Sequence, residues 1–296
     1  MNAIFKHRGK SGTRLRAIRS VGVMALVLLL AIPLFARAEA SPWAEAEVRA
    51  LHAMEAQPPE WRQAHAAFAE AAGLGSMRAK SYLGWLHEHG HGVERDPHEA
   101  ARWYAEVAGS GVPEFAVKLG WMYLGGAAGS DPVRAEQWFR LAIDAGHLPA
   151  NVALASVFIA DAVGGLAVER VNEACELLER ALDGGERIAA FFLARLHVEG
   201  IGGHPVRPVQ GAHYTRIAAE DGHAQMQGWL ALMHLKGDGV PVDRSKAAFW
   251  AALAAGSDDP LGRTLHEALA RELTADERKA VMERTLLWAL DRSGRS

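Results

Sequence analysis

Five glycines, Gly75, Gly111, Gly146, Gly185 and Gly222, each stand eight residues ahead of a leucine that is followed by glycine or alanine. The pairs are Leu83-Gly84, Leu119-Gly120, Leu154-Ala155, Leu193-Ala194 and Leu230-Ala231. The glycines are 36, 35, 39 and 37 residues apart. A self-similar period of this size belongs to repeat arrays, in which each unit covers its apolar face with its neighbours.

Each unit divides into two helical stretches around a glycine-containing turn. The first stretch carries small and apolar residues at helical spacing, as in Ala79, Leu83, Gly84 and His87. Gly84 leaves room for a neighbouring helix. The turns are Gly90-x-Gly92, Gly125-Gly126, Gly164-Gly165, Gly200-x-Gly202 and Gly237-x-Gly239, where a helix end favours left-handed backbone. The second stretch opens with Asp96-Pro97 and Asp131-Pro132, an acidic cap followed by proline at the first helical position. Asp243 keeps the cap alone. A small residue recurs at Ala100, Ala135, Ala174, Gly211 and Ala247. Three residues on come Trp103, Trp138, Leu177, Tyr214 and Trp250, and this spacing predicts a buried stripe.

The pattern resembles the Sel1-like repeat, a relative of the tetratricopeptide repeat. The likeness rests on the A-x3-L-G-x3-aromatic run, the G-x-G-V turn, the D-P-x2-A-x2-W-[YF] start and the closing A-x2-G. It weakens in the unit from Gly146, where Glu169 and Leu177 replace the cap and the tryptophan. The unit from Gly185 has an irregular turn, GIGGHPVRPVQG, and no acidic cap. The resemblance implies an all-α, right-handed superhelical solenoid of antiparallel helix pairs, and a scaffold or adaptor role. The expected organisation is a signal peptide at 1–38, a capping helix pair at 41–73, about five repeats at 74–256 and capping helices at 257–296. Thr274 and Glu277 read as a capping box for the last helix.

The first 38 residues hold no acidic residue. Lys6, Arg8, Lys10, Arg14, Arg16 and Arg19 precede an apolar run, Val21 to Phe35, and small-x-small patterns place cleavage near 38–40. The expected location is therefore periplasmic or secreted; the alternative is an inner-membrane anchor at residues 21–36. The leader takes seven of the 32 Lys+Arg and none of the 35 Asp+Glu, leaving 25 against 35, a net charge of −10. An acidic array without basic runs disfavours nucleic acid.

Few residues suggest chemistry. The single cysteine, Cys175, permits no intramolecular disulfide and reads as a small buried hydrophobe beside Ala174. His87-x-His89-x-His91 is the densest histidine cluster. His87 occupies the slot held by Tyr123, Phe158, His197 and His234 in other units, and i, i+2 spacing on a helix sends ligands in divergent directions. His197 and His204 flank another turn. No G-x-S-x-G, phosphate-loop or H-E-x-x-H motif occurs. Asp258-Asp259 reads as a helix cap. The expectation is no catalytic group, metal or cofactor.

With the repeat leucine at zero on a helical wheel, the packing signature clusters on one side. Positions two before, two after and five after the leucine fall opposite. They include Trp85, Glu88, Val117, Trp121, Leu124, Val152, Ile159, Phe191, Arg195, Val198, Leu232 and Leu235. By resemblance to tetratricopeptide arrays, this side lines a concave groove, with Trp85 and Trp121 as anchors for a peptide or helix. The alternative is that neighbouring helices bury it. The leading function is a non-enzymatic exported scaffold that binds a protein partner in the cell envelope, in assembly, secretion or polysaccharide export. The alternatives are a cell-wall-active or β-lactam-binding hydrolase, which the missing per-repeat cysteines disfavour, and a periplasmic metal-binding module.

Overall fold

The computed structural model describes residues 41–166 and 168–293, and they form helices without strands. The predicted leader lies outside the described residues. The chain divides into two compact units at His147/Leu148. The first holds α1 (Ala44–Glu55), α2 (Trp61–Gly73), α3 (Met77–His89), α4 (Pro97–Gly109), α5 (Pro113–Leu124) and α6 (Pro132–Asp144). The second holds α7 (Leu148–Val163), α8 (Val171–Asp183), α9 (Ala189–Glu199), α10 (Pro208–Glu220), α11 (Ala224–Lys236), α12 (Arg244–Gly256), α13 (Pro260–Glu272) and α14 (Ala275–Ser293). Helices α1/α2, α3/α4, α5/α6, α7/α8, α9/α10 and α11/α12 pack as pairs.

Capping sets the phase of the second helix of each pair. Asp96 accepts from the backbone N–H of His98 and Glu99, Asp131 from that of Arg134 and Asp243 from that of Lys246, all within 3.0 Å. These bonds satisfy donors that a helix start would otherwise leave unpaired. Asp259 likewise caps α13 through the N–H of Gly262 at 2.7 Å. Thr274 and Glu277 close the expected box, at 2.8 and 3.3 Å. Buried Glu47 is satisfied by Ser76 and Arg78, which ties α1 to the start of α3.

The N-caps Glu60, Asp96, Asp131, Arg170, Arg207 and Asp243 each precede a 13-residue helix. Fifteen residues after each cap the backbone turns to positive φ, at Gly75, Gly111, Gly146, Gly185, Gly222 and Asp258. The last repeat helix ends at Gly256 as expected, and the junction after it is Asp258 (φ 62), the only described non-glycine residue with positive φ. Aspartate is one of the few side chains that tolerates this region.

The pairs are held by size matching. Gly84 and Gly120 lie against the rings of Tyr104 and Phe139, where an added Cβ would come within 2.5 and 2.6 Å of ring carbon. Both rings are fully buried. The corresponding residue pairs in the second unit, Ala155 with Leu178, Ala194 with Thr215 and Ala231 with Ala251, are also fully buried. A missing Cβ on the first helix goes with an aromatic ring on the second; an alanine goes with something smaller. The predicted stripe holds in part, with Leu177 and Trp250 buried. The residue four after the small one is buried in all five pairs, whereas three after it Trp103, Trp138 and Tyr214 sit half-buried on the flank. Spacings of three and four share a helix face, so periodicity alone did not separate them.

Two glycine substitutions separate these roles. Gly111→Ala meets open space but keeps φ 94, so it should cost about 1 kcal/mol through backbone strain. Gly84→Ala should cost about 2–3 kcal/mol by driving into Tyr104. Urea midpoints followed by circular dichroism test the order; equal losses would remove size matching as the constraint.

Candidate functional site

The structure divides the face assigned from the wheel. In the first unit, Trp85 is buried, with its ring 5.9 Å from Trp61, 4.9 Å from His89 and 4.8 Å from His91. Glu88 accepts from the Tyr104 hydroxyl at 2.8 Å and pairs with Lys118 at 2.9 Å, bridging α3, α4 and α5. Burial and the Glu88 charge push the Tyr104 hydroxyl pKa upward, so Tyr104 stays a neutral donor. Trp121 is 45% exposed and set edge-on to Phe139 at 5.2 Å. Val117 and Leu124 are half-buried beside it in sequence.

In the second unit, Val152 and Ile159 are buried. Phe191, Arg195, Val198, Leu232 and Leu235 are half-buried, and Arg195 is paired with Glu199 at 3.0 Å. Val198 and Leu232 line one cleft of about 410 Å3 together with His197, Val206, Pro208, Trp229, Met233, Asp238 and Leu261. Its walls come from α9, α10, α11 and α13 and the turns after α9 and α11. The volume lies in the range of ligand pockets, and an apolar wall with one carboxylate suits an apolar side chain carried on a polar segment. Of the predicted face, Val198 and Leu232 are the residues this cleft brings together.

His197 also belongs to a cluster that sequence reasoning missed. A ring nitrogen of His197, one of His204 and the sulfur of Cys175 lie within 4.8 Å of one another, and all three residues are buried. His197 Nδ1 and His204 Nε2 face each other at 3.2 Å. The Cys175 thiol donates to Glu179 Oε1 at 3.8 Å, and the Tyr214 hydroxyl approaches the same oxygen at 3.4 Å. Burial, then His204 and Arg207, lower the His197 pKa to about 4, so near neutral pH the ring is neutral, with one nitrogen a donor and the other an acceptor. Burial, then Glu179, raises the Cys175 thiol to about 11. The missed signal was a cysteine on a second helix paired with histidines on both sides of the following irregular turn.

The profile of the Sel1 repeat family matches residues 78–110, 113–147, 187–223 and 224–259. The chain is a Sel1-like repeat protein. The profile passes over the Gly146 unit, where cap and tryptophan are replaced, although α7 and α8 still pack as a helix pair. A crystal structure of a Sel1 repeat protein from Oxalobacter formigenes is similar in fold: 22% identity, 82% of this chain and 97% of that one covered, TM-score 0.57. A second likeness is to c5321, a protective antigen present in uropathogenic Escherichia coli strains displaying an SLR fold: 20% identity, 81% and 60% covered, TM-score 0.46. No curated protein matches the chain. Sel1 repeats typically mediate protein–protein interaction and are generally non-catalytic scaffolds.

In this Sel1-like array the histidine run of the first repeat is split three ways. His87 faces His65 at 3.4 Å, His89 Nδ1 meets the Trp85 carbonyl at 2.9 Å, and His91 stacks on Trp61 at 4.5 Å. The slot of His87 is filled by buried Phe158 and buried His234 in other repeats. Burial is the main cause that lowers the His234 pKa, aided by Lys246 and Arg216 and opposed by the Pro241 carbonyl and Asp243. The unfolded chain therefore takes up a proton first as pH falls below 6.5, and stability present above that value is lost on acidification. His234→Phe should flatten the change in urea midpoint between pH 7.5 and pH 5.5. An unchanged slope would mean that His234 is not a source of it.

Proposed function

We propose that this chain is a non-enzymatic scaffold, exported to the bacterial cell envelope, that holds a protein partner through the cleft of the second unit. The observation that carries this reading is the cleft itself. Val198, Val206, Trp229, Leu232 and Leu261 surround a volume sized for one or two apolar side chains, and Asp238 supplies the charge at its wall. Large apolar side chains presented around a concavity are the usual anchor points of protein interfaces. On the first unit, exposed Trp121 is a separate candidate contact. Trp85 supports that unit from inside and is not offered to the partner.

Val206 is 58% exposed, so an acidic substitution there changes the cleft with little cost to folding. Val206→Asp and Leu232→Asp should each reduce co-purification of the partner at least ~10-fold, which corresponds to about 1.4 kcal/mol. Val133→Asp, on an exposed side chain of the first unit, should leave it unchanged. Equal recovery with all three variants would remove the cleft from the function.

Export rests on the basic, acid-free leader and the apolar run from Val21 to Phe35. Among the described residues, no helix is long and apolar enough to cross a membrane. Protein recovered from the producing bacterium should have an intact mass lacking residues 1–38 and should partition with the periplasm. A full-length mass in the inner-membrane fraction would instead mean that residues 21–36 remain as an anchor.

A further inference from the structure

We infer that Cys175, His197 and His204 form a closed structural site for a transition-metal ion of the zinc class. Three donors of the right chemistry converge here from three separate places: α8, the last turn of α9 and the turn that follows it. Thiolate and imidazole together select zinc, cobalt and copper over hard cations such as calcium and magnesium. Two imidazole nitrogens bound to a tetrahedral zinc stand about 3.3 Å apart, given Zn–N bonds of ~2.0–2.1 Å. His197 Nδ1 and His204 Nε2 stand 3.2 Å apart. The sulfur, within 4.8 Å of the chosen ring nitrogens, is close enough to join them with a small side-chain adjustment.

A hydrogen bond between the two rings is the competing account, and it uses one N–H and one lone pair. It leaves His197 Nε2 and His204 Nδ1 buried without a partner, one of them necessarily a bare lone pair. A metal uses both facing lone pairs and puts protons on both outer nitrogens, which fixes the two tautomers; those outer nitrogens lack a partner in either account. The sulfur ligates as thiolate, so each ion bound releases the thiol proton to solvent. Glu179, 3.8 Å from the sulfur, is the protein group in reach of a fourth position. Arg207 contributes positive charge that opposes the ion but favours the thiolate. Burial of all three ligands marks the site as structural; a catalytic site keeps an open position.

The location fits that role. Arg170 and Arg207 are N-caps of α8 and α10 without a side-chain capping bond, where Asp96, Asp131 and Asp243 cap their helices. The turn between α9 and α10 is a 3-10 segment, Ile201–Gly203, whose Gly202 lies against Val171 and Ala162. An ion would clamp this turn and α9 onto α8, beside two helix starts that lack a side-chain capping bond.

The test uses the full chain, reduced, stripped with a chelator and titrated with Co2+. One equivalent should produce a thiolate-to-cobalt charge-transfer band with the intense visible bands of tetrahedral cobalt. Zn2+ should bleach both and raise the melting temperature. Cys175→Ser should abolish the charge-transfer band, His204→Asn should weaken Co2+ binding more than ~100-fold, and His91→Asn should change neither. Circular dichroism establishes that each variant is folded. If Cys175→Ser does not fold, protection of the wild-type thiol from alkylation by one equivalent of Zn2+ is the equivalent readout. Absence of a stoichiometric band and of thiol protection in the wild-type chain overturns the site. So does a charge-transfer band that persists in folded Cys175→Ser.

Discussion

The fit between one small residue and one larger one sets the distance between the helices of each pair. Where Gly84 and Gly120 present bare backbone, Tyr104 and Phe139 fill the gap. Where alanine supplies a Cβ, the second helix brings Leu178, Thr215 or Ala251. The second residue of the pair shrinks when the first gains a Cβ, in keeping with close packing. The glutamate bridge across α3, α4 and α5 uses the same ring, whose hydroxyl donates to Glu88 while its edge packs against Gly84. Half-buried tryptophans beside the deep ring then cover the flank.

Much of this was legible in the sequence, because its strongest signals are local. Caps at Asp96, Asp131, Asp243 and Asp259 and the box at Thr274 depend on a few consecutive residues, and each forms as read. The period gave the helix pairs and the family. The deep ring was misplaced by one residue because a face is broader than a position. The sixth junction was not read because aspartate at positive φ carries no glycine to mark it.

The candidate site was less legible, for a reason that concerns distance along the chain. A helical wheel treats one helix and leaves out what lies over it. Trp61 and His91 come from outside helix α3, and they cover Trp85. Val198 and Leu232 were assigned to one face by analogy, but their meeting across a cleft is a tertiary fact. Cys175 and His197 are separated by most of a helix pair, and no short motif joins them to His204. The Sel1 profile matches the shared frame of the repeats, whereas the cleft and the cysteine–histidine cluster each need side chains from several helices at once.

The fifteen-residue stride from N-cap to junction holds at all six caps, and the eight residues from junction to leucine hold at the five glycine junctions, while the stretch from the leucine to the next N-cap runs from 12 to 16 residues. All slack in the array is therefore confined to one kind of turn. The array behaves like a gear train with rigid teeth and one elastic link per tooth. Residues can be added in that link without shifting the phase of the next pair. The two longest links end at Arg170 and Arg207, and the second carries His204. Variation in such an array thus accumulates where it is mechanically free, which is also where a side chain can acquire a new neighbour.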